Sequence, residues 1–556
     1  MRKLFILLCI IALLNCFSVL GDTIIINSKD WKDVYSGMQY GYMTGQDPKF
    51  LVSEKHANLI LNEIEPGASI QAFSSDERPF VIGYESILEG EGYPAEETVF
   101  DTLSIELARD MPDINSYIIV DDSYGYNAIA VAPYAMVSGS YVLFADRENI
   151  AEVDRFLSGR NTEDILIYGH IDREVRERLD KYSPEIINQD GDRFANNVEI
   201  VKKYKELKKA RQVLLSNGEF IEAEIMSGNQ PVLFIGVQNV PDKIREYIKN
   251  SDIEVGVLIG NELVGTATVV RRQTGISTFV KFARSARNPQ GPVSQVEGLD
   301  IFAVPTIPVK LSLESIRYNA LTRQLEVTIR NDEEVAAYFK GTYTITSGGQ
   351  EQTVGDIDSV FIESEDIKTV VYDLDPIVGE EVINVRYYIV YGESKNSLEK
   401  VLEGETQAER VEIEDDASIT IEKLVYNKPK EKFFVYLKNI GPVDAYVDTE
   451  VIDILILDER QNFGSKEIVH LPVGKAAKST IEAELTEEDL RDNEVIRTRA
   501  YYGEREDALI KIIEGEFELV IEEFDIWTYV PIAIIIILII LLILAIRKKK
   551  KKDKGH

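Results

Sequence analysis

The sequence predicts an α/β N-terminal region followed by two all-β sandwich domains and one transmembrane helix. Three observations lead there: apolar strands alternate with helical segments up to residue 285, a block duplicates itself after residue 309, and an uncharged apolar run lies near the C-terminus. The divisions that follow are 1–21 (signal peptide), 22–285 (α/β domain), 286–308 (linker), 309–414 and 415–522 (sandwiches), 527–546 (span) and 547–556 (basic cytoplasmic tail).

Residues 1–21 read as a secretory signal. Arg2 and Lys3 precede an apolar stretch from Leu4 to Leu14 that is too short to span a bilayer, and small residues precede cleavage at Asp22. Asn15 before Cys16 is a poor fit to a lipoprotein box. Both cysteines, Cys9 and Cys16, fall in this segment, so residues 22–556 offer neither a disulfide nor a catalytic thiol.

In the α/β region, YVLFADRENIAEVDRFLSGRNTEDILIYG from Tyr141 reads strand, helix, strand, and PVLFIGVQNVPDKIREYIKNSDIEVGVLIG from Pro231 has the same plan. Val142-Leu143-Phe144 answers Val232-Leu233-Phe234 at an offset of 90. A fainter third copy is sought before residue 110, around PFVIGYESILEG.

Between the two clear copies lies DGDRFANNVEIVKKY, from Asp190. Asn188, Asp190, Asp192 and Glu199 have the spacing of a helix-loop-helix calcium loop, yet its sixth position, which needs glycine, holds Arg193. A turn opening a helix fits better: Phe194, Val198, Val201 and Tyr204 share one helical face, and Asp190 or Asp192 can cap it. This turn, together with YNAIAVAPYAMVSGSYVLFAD from Tyr126 and ILIYGHIDREVRERL from Ile165, resembles the cell-wall-binding repeat family (type 2) of bacterial and archaeal surface proteins. Asp190, Gly191, Asp192 and Phe194 are the landmark, with Asp190 where that family tends to have glycine and Phe194 where it has tyrosine. The resemblance implies tandem Rossmann-like subdomains and non-covalent attachment to anionic envelope polymers.

Beyond the linker, Tyr318-Asn319 recurs as Tyr426-Asn427, and LEVTIRN from Leu325 answers FVYLKN from Phe434, with Leu325 matched to Phe433, all at an offset of 108. YGESKNSLEKVLEGE from Tyr391 answers YGEREDALIKIIEGE from Tyr502 at 111, so the second copy has gained about three residues in a loop. Alternating apolar residues make each copy a sandwich. Both resemble adhesion-type modules of surface proteins, and a stalk is the expected role.

Trp527 to Ile546 is long enough for a helix to cross a hydrocarbon core of roughly 30 Å, and RKKKKKDK follows it. The expectation is a single-pass cell-membrane protein, its N-terminal region extracellular, its tail cytoplasmic and its span in contact with lipid. The formal charge of −34 would repel nucleic acid.

Catalytic signatures are not found. His56, His170, His470 and His556 are scattered without an HExxH or CxxC neighbour, and no nucleophile elbow, P-loop or dinucleotide fingerprint occurs. No catalytic residue, metal ligand or cofactor is assigned. Two basic islands stand out in the acidic chain: KKYKELKKAR, with Lys202, Lys203, Lys208 and Lys209, and the stretch from Arg271 and Arg272. With Arg193, these residues are the candidates for holding an anionic polymer or glycan, or the acidic surface of another copy. The competing reading is a solvated helix face paired with glutamates. The sequence therefore points to a structural or adhesive surface-layer-like protein rather than an enzyme. The alternative is an extracellular hydrolase or peptidase with a site in 22–285 that includes His56 or His170.

Overall fold

The computed structural model describes residues 23–281, 300–377 and 382–523, with the isolated Ile539. Residues 23–281 form three parallel four-stranded sheets. The first is built from β1 (Thr23–Asn27), β2 (Asp47–Phe50), β3 (Ile70–Ser75) and β4 (Ala95–Phe100), in the order β2-β1-β3-β4. The second uses β5 (Ser116–Val120), β6 (Tyr141–Phe144), β7 (Asp164–Tyr168) and β8 (Glu185–Ile187), in the order β6-β5-β7-β8. In the third, β9 (Gln212–Ser216) is followed by the short β10 (Phe220–Ile221), then β11 (Val232–Phe234), β12 (Val255–Ile259) and β13 (Ser277–Lys281), and the sheet order is β11-β9-β12-β13.

The order is the same three times. The offset of 90 relates β6 to β11, which hold the same place in their sheets, and the faint copy before residue 110 is the complete first sheet. Central strands such as Ile24–Ile26 and Ile118–Val120 are buried, as parallel strands covered by helices on both faces must be. One apolar core runs from Ile24 through all three sheets to Ile276, which makes them one body.

Part of the expected linker is fastened to that body. β14 (Phe302–Ala303) pairs antiparallel with β10, and the Gly125 N–H donates to the Pro305 carbonyl at 3.0 Å. Gly125 is required here, since a Cβ would stand 2.2 Å from Val304 Cγ2.

The duplicated block forms two sandwiches of one topology. In the first, strands Ile367–Asp373, Gln324–Asn331, Leu311–Asn319 and Glu409–Val411 face a sheet whose centre is Ala337–Ser347 and Asn384–Gly392. The second repeats this with Ala476–Glu482, Lys432–Asn439, Ile419–Asn427 and Val520–Glu522 facing Ala445–Ile456 and Val495–Gly503. Even the register shift recurs, between Leu313 and Ser315 and between Ile421 and Lys423. The repeated asparagines have a structural cause. Asn331 Nδ2 donates to the Val335 and Glu363 carbonyls at 2.8 and 2.9 Å, and Asn439 Nδ2 donates to those of Val443 and Leu471 at 2.8 Å each. Each asparagine thus ties the end of its strand to the next turn and to a neighbouring strand.

The sandwiches are joined by buried charge. Lys368 Nζ of the first lies 2.6 Å from Asp448 Oδ2 of the second, with both side chains all but inaccessible, and Lys368 sits over the Tyr501 ring at 3.8 Å. Burial opposes the ammonium, but Asp448, Tyr501 and Glu450 outweigh it and hold Lys368 above its ordinary value. Arg505 to Glu326 at 2.8 Å and Arg317 to Asp507 at 2.9 Å extend the contact.

Two expectations are corrected. Among the described residues no helix is long and apolar enough to cross a membrane. The longest, Arg193–Leu207, has 15 residues and carries lysines and glutamates; at 1.5 Å per residue it reaches only about 22 Å. The run 527–546 and the tail 547–556 lie outside the described residues, Ile539 excepted, so the single-pass placement, its lipid contact and its cytoplasmic tail lose their support. The stalk also gives way, because both sandwiches fold against the α/β body.

Candidate functional site: the carboxyl edges of the three sheets

In parallel α/β sheets, ligands are received at the carboxyl ends of the strands, where loops and helix N-termini present polar groups. In this chain the third such edge and part of the second are covered by the protein's own sandwiches.

The first sandwich covers the third sheet. Its loop from Glu393 to Lys400 returns sharply on itself, and Gly392 makes this possible: a Cβ there would lie 1.7 Å from the Ser397 carbonyl oxygen. The loop meets the start of the helix Arg193–Leu207. Asp192 caps that helix, its Oδ1 accepting from the Phe194 and Ala195 N–H groups at 2.9 and 3.1 Å and also from the Ser397 hydroxyl at 2.8 Å. Arg193 Nε is 2.8 Å from Glu393 Oε1 and Nη2 is 3.1 Å from Glu399 Oε1, while its guanidinium stacks 3.9 Å from the Tyr126 ring. Burial works against the guanidinium, and Glu393 and Glu399 overcome it, so Arg193 stays charged.

The second sandwich covers the β7 and β8 ends of the second sheet. His170, just beyond β7, holds Glu459 with Nδ1 at 2.8 Å, and Asn188, just beyond β8, donates to the same Oε1. Arg173 Nη2 reaches Asp489 at 2.7 Å, and Arg176 reaches Asp458 at 2.5 Å. Asp190 Oδ1 accepts the Arg460 N–H at 2.7 Å. Asp190 itself has φ 58° and Gly191 has φ 71°. The left-handed backbone explains why glycine is natural at position 190.

The landmark is therefore a junction. Asp190 and Gly191 face the second sandwich and Asp192 and Arg193 the first, while Phe194 is buried in the body's core. The oxygens that a calcium loop would gather are spread over separate protein partners, with Glu199 paired to Lys202 at 2.6 Å. Arg193 cannot serve as a polymer contact, since two carboxylates and a ring enclose it.

The basic islands are placed differently. Lys203 reaches Glu185 at 2.8 Å and Lys208 reaches the Gly228 carbonyl at 3.4 Å, while Lys209, Arg271 and Arg272 are exposed. The helix Asp242–Asn250 packs between the two islands' helices, so the islands do not form one cluster. His56 and His170 are also separate: His56 Nε2 is 3.4 Å from Asp300, while His170 belongs to the second sandwich's joint.

The first sheet's edge remains open. Between it and the second sheet lies a cleft of about 760 Å³. Asp30 after β1, Arg78 after β3, Asp101 after β4, Asp122 after β5 and Asp146 after β6 all face it. Eight carboxylates and three cations line the cleft. Lys32 and Asp122 bridge it at 2.7 Å. At its wall, burial pushes the Asp33 carboxyl up to about 6, against the lowering effect of the Ser28 hydroxyl that bonds it at 2.7 Å. Sequence reasoning missed these residues because carboxylates at strand ends recur throughout a chain with 95 of them. It missed Glu393 and Glu399 as partners of Arg193 because their separation along the chain leaves no local pattern. The repeated YGE was the one available signal.

No protein-family model matches the chain, and no curated protein matches it. Among solved structures, Cwp8 from Clostridium difficile is similar at 15% identity and a TM-score of 0.38, over 46% of this chain and 48% of that one. The chain thus spans about half the length of that structure. The ligand-binding region of serine-glutamate repeat protein A of Enterococcus faecium is similar at 13% identity and a TM-score of 0.15, over 19% of this chain and 98% of that one.

Proposed function

We propose that the protein is a structural or adhesive component of the cell surface that meets an envelope partner through the uncovered edge of its α/β body. One observation carries the reading: the sandwiches cover the carboxyl ends of the third sheet and of β7 and β8 with ion pairs, whereas the ends of the first sheet and of β5 and β6 line an open cleft of about 760 Å³. A body held fixed in this way suits a passive, load-bearing or adhesive part, and we assign it neither a catalytic role nor a cofactor. The excess of carboxylates in the cleft favours a cationic or neutral surface over an anionic polymer, such as the basic islands of a neighbouring copy.

The test is co-sedimentation of the full chain with isolated cell envelopes across a salt series. Binding that weakens with salt and is lost on replacing Glu77, Asp101 and Glu148 by their amides supports the cleft. Loss only on neutralising Lys202, Lys203, Lys208, Lys209, Arg271 and Arg272 would move the contact to the islands and an anionic polymer. Absence of binding at every salt concentration would overturn envelope attachment.

A further inference from the structure

The face between the two sandwiches buries more carboxylates than cations. Glu363 and Asp366 of the first, in the turn before the strand Ile367–Asp373, meet Asp448 and Glu450 on the strand Ala445–Ile456 of the second, with Lys368 and Arg499 among them. Each cation is committed, Lys368 to Asp448 at 2.6 Å and Arg499 to Glu450 at 2.8 Å. Glu363 Oε2 instead accepts the Gly464 N–H across the face at 2.8 Å. Asp366 is left over. It has no ion pair among the described residues, and Arg330 beside it is engaged by Glu314 at 2.9 Å. Its Oδ2 is buried where neither a donor nor solvent reaches, so a negative charge there is costly and a proton relieves it.

We propose that the joint between the sandwiches is a proton-gated latch, closed while Asp366 is neutral and loosened when Asp366 ionises. Burial first, and Asp448 second, push the Asp366 carboxyl up to about 7, with Glu363 adding to the rise and Lys368 and the Ile367 N–H opposing it. A carboxyl raised in the closed joint contributes fully below its ordinary value near 3.8, and that contribution is lost as pH rises through about 7. Once ionised, Asp366 faces Asp448 with like charge, and the single cation Lys368 must serve both. Glu450 acts in the same direction: burial raises it against Lys368 and Arg499, and its Oε2 also lacks a donor. Opening at this face leaves the second sandwich held to the body through Glu459 and Asp489, so the latch loosens one joint without releasing a domain. The latch is independent of the open cleft and of whatever the cleft meets.

Lys368 Nζ, all but inaccessible in the closed joint, reports its opening. The full chain should be acetylated at low reagent excess between about pH 6 and 8.5, with the rate at Lys368 read by peptide mass spectrometry and divided by that of the urea-unfolded chain at the same pH. Protection of Lys368 should fall by about tenfold across that range, and by less than about threefold in Asp366→Asn, whose side chain stays neutral. Three results overturn the proposal: protection that is flat with pH in the parent, an equal fall in Asp366→Asn, or amide protection of the core strands Gln324–Asn331 and Lys432–Asn439 falling in step with that of Lys368, which would place the proton's effect on global unfolding. The first and third are read on the parent alone, so a variant that fails to fold does not rescue the latch.

Discussion

Arg193 and Glu399 stand 3.1 Å apart across the boundary between the α/β body and the first sandwich, each more than nine-tenths buried. The pair joins a helix N-terminus to a sandwich loop from a different part of the chain. With Glu393 on the other side, the guanidinium pairs with two carboxylates, one more negative charge than it can cancel, and burial together with Glu393 pushes Glu399 toward its protonated form.

Removal of that cation should be severe. Arg193→Ala leaves Glu393 and Glu399 facing each other without water, and loss of one partner of a buried pair costs about 3–5 kcal/mol. Chemical denaturation should show the loss, and small-angle scattering should show the first sandwich moving away from the body. A change within about 0.5 kcal/mol, the range of ordinary surface substitutions, would remove Arg193 from the joint's energetics.

The sandwich joint permits a cleaner separation. Lys368→Met or Asp448→Leu alone strands a buried charge and should destabilise by about 3–5 kcal/mol, whereas the double substitution should recover most of that loss. A double variant as unstable as the two singles combined would mean that the pair's packing, rather than its charge balance, holds the joint.

Asn331 and Asn439 should behave alike. Asn439→Ala takes a donor from two carbonyls at once and should cost about 1–3 kcal/mol. Asn331→Ala should match it to within a factor of two if the two sandwiches use the residue in the same way. Urea titrations of both variants check this.

The first joint should also respond to pH. Burial first, and Glu393 second, push the Glu399 carboxyl up to about 8, against the lowering effect of Arg193. A carboxyl raised in the folded state contributes fully below its ordinary value near 4.5, and that contribution is lost as pH rises through about 8. Stability should therefore fall between about pH 5 and 8, with a smaller slope in Glu399→Gln. His170, raised chiefly by its bond to Glu459, adds a slope of the same sign, so the quantity to measure is the difference between parent and variant. Parallel slopes would show that Glu399 does not titrate in this interval.

Much of the architecture was legible because it repeats. The offset of 108 locates the paired strands that end at Asn331 and Asn439, and the offset of 111 locates the loop that returns at Gly392 and at Gly503. The two loops even share a task, since the first docks on Arg193 and the second, through Arg505, on Glu326. The first sheet was harder to see. Its β2 is the short edge strand DPKF, which lacks the apolar run that marks β6 and β11. The site was mostly invisible. DGDR could be recognised as a turn, but Arg193 read as a free cation because nothing nearby in sequence shows that Glu393 and Glu399 will close over it. Lys32 and Asp122 likewise meet only after two sheets have packed.

Since the second sandwich grips the body at His170 and Arg173 as well as the first sandwich at Lys368, the three domains form a braced frame rather than a series of links. Tension applied between the body and residue 522 divides over two routes, one passing through both sandwiches and one directly through Glu459 and Asp489. Rupture of any single contact leaves the other route carrying the load. The frame can lengthen only when both routes have failed, so extension should come as one late, abrupt event rather than as a sequence of small yields.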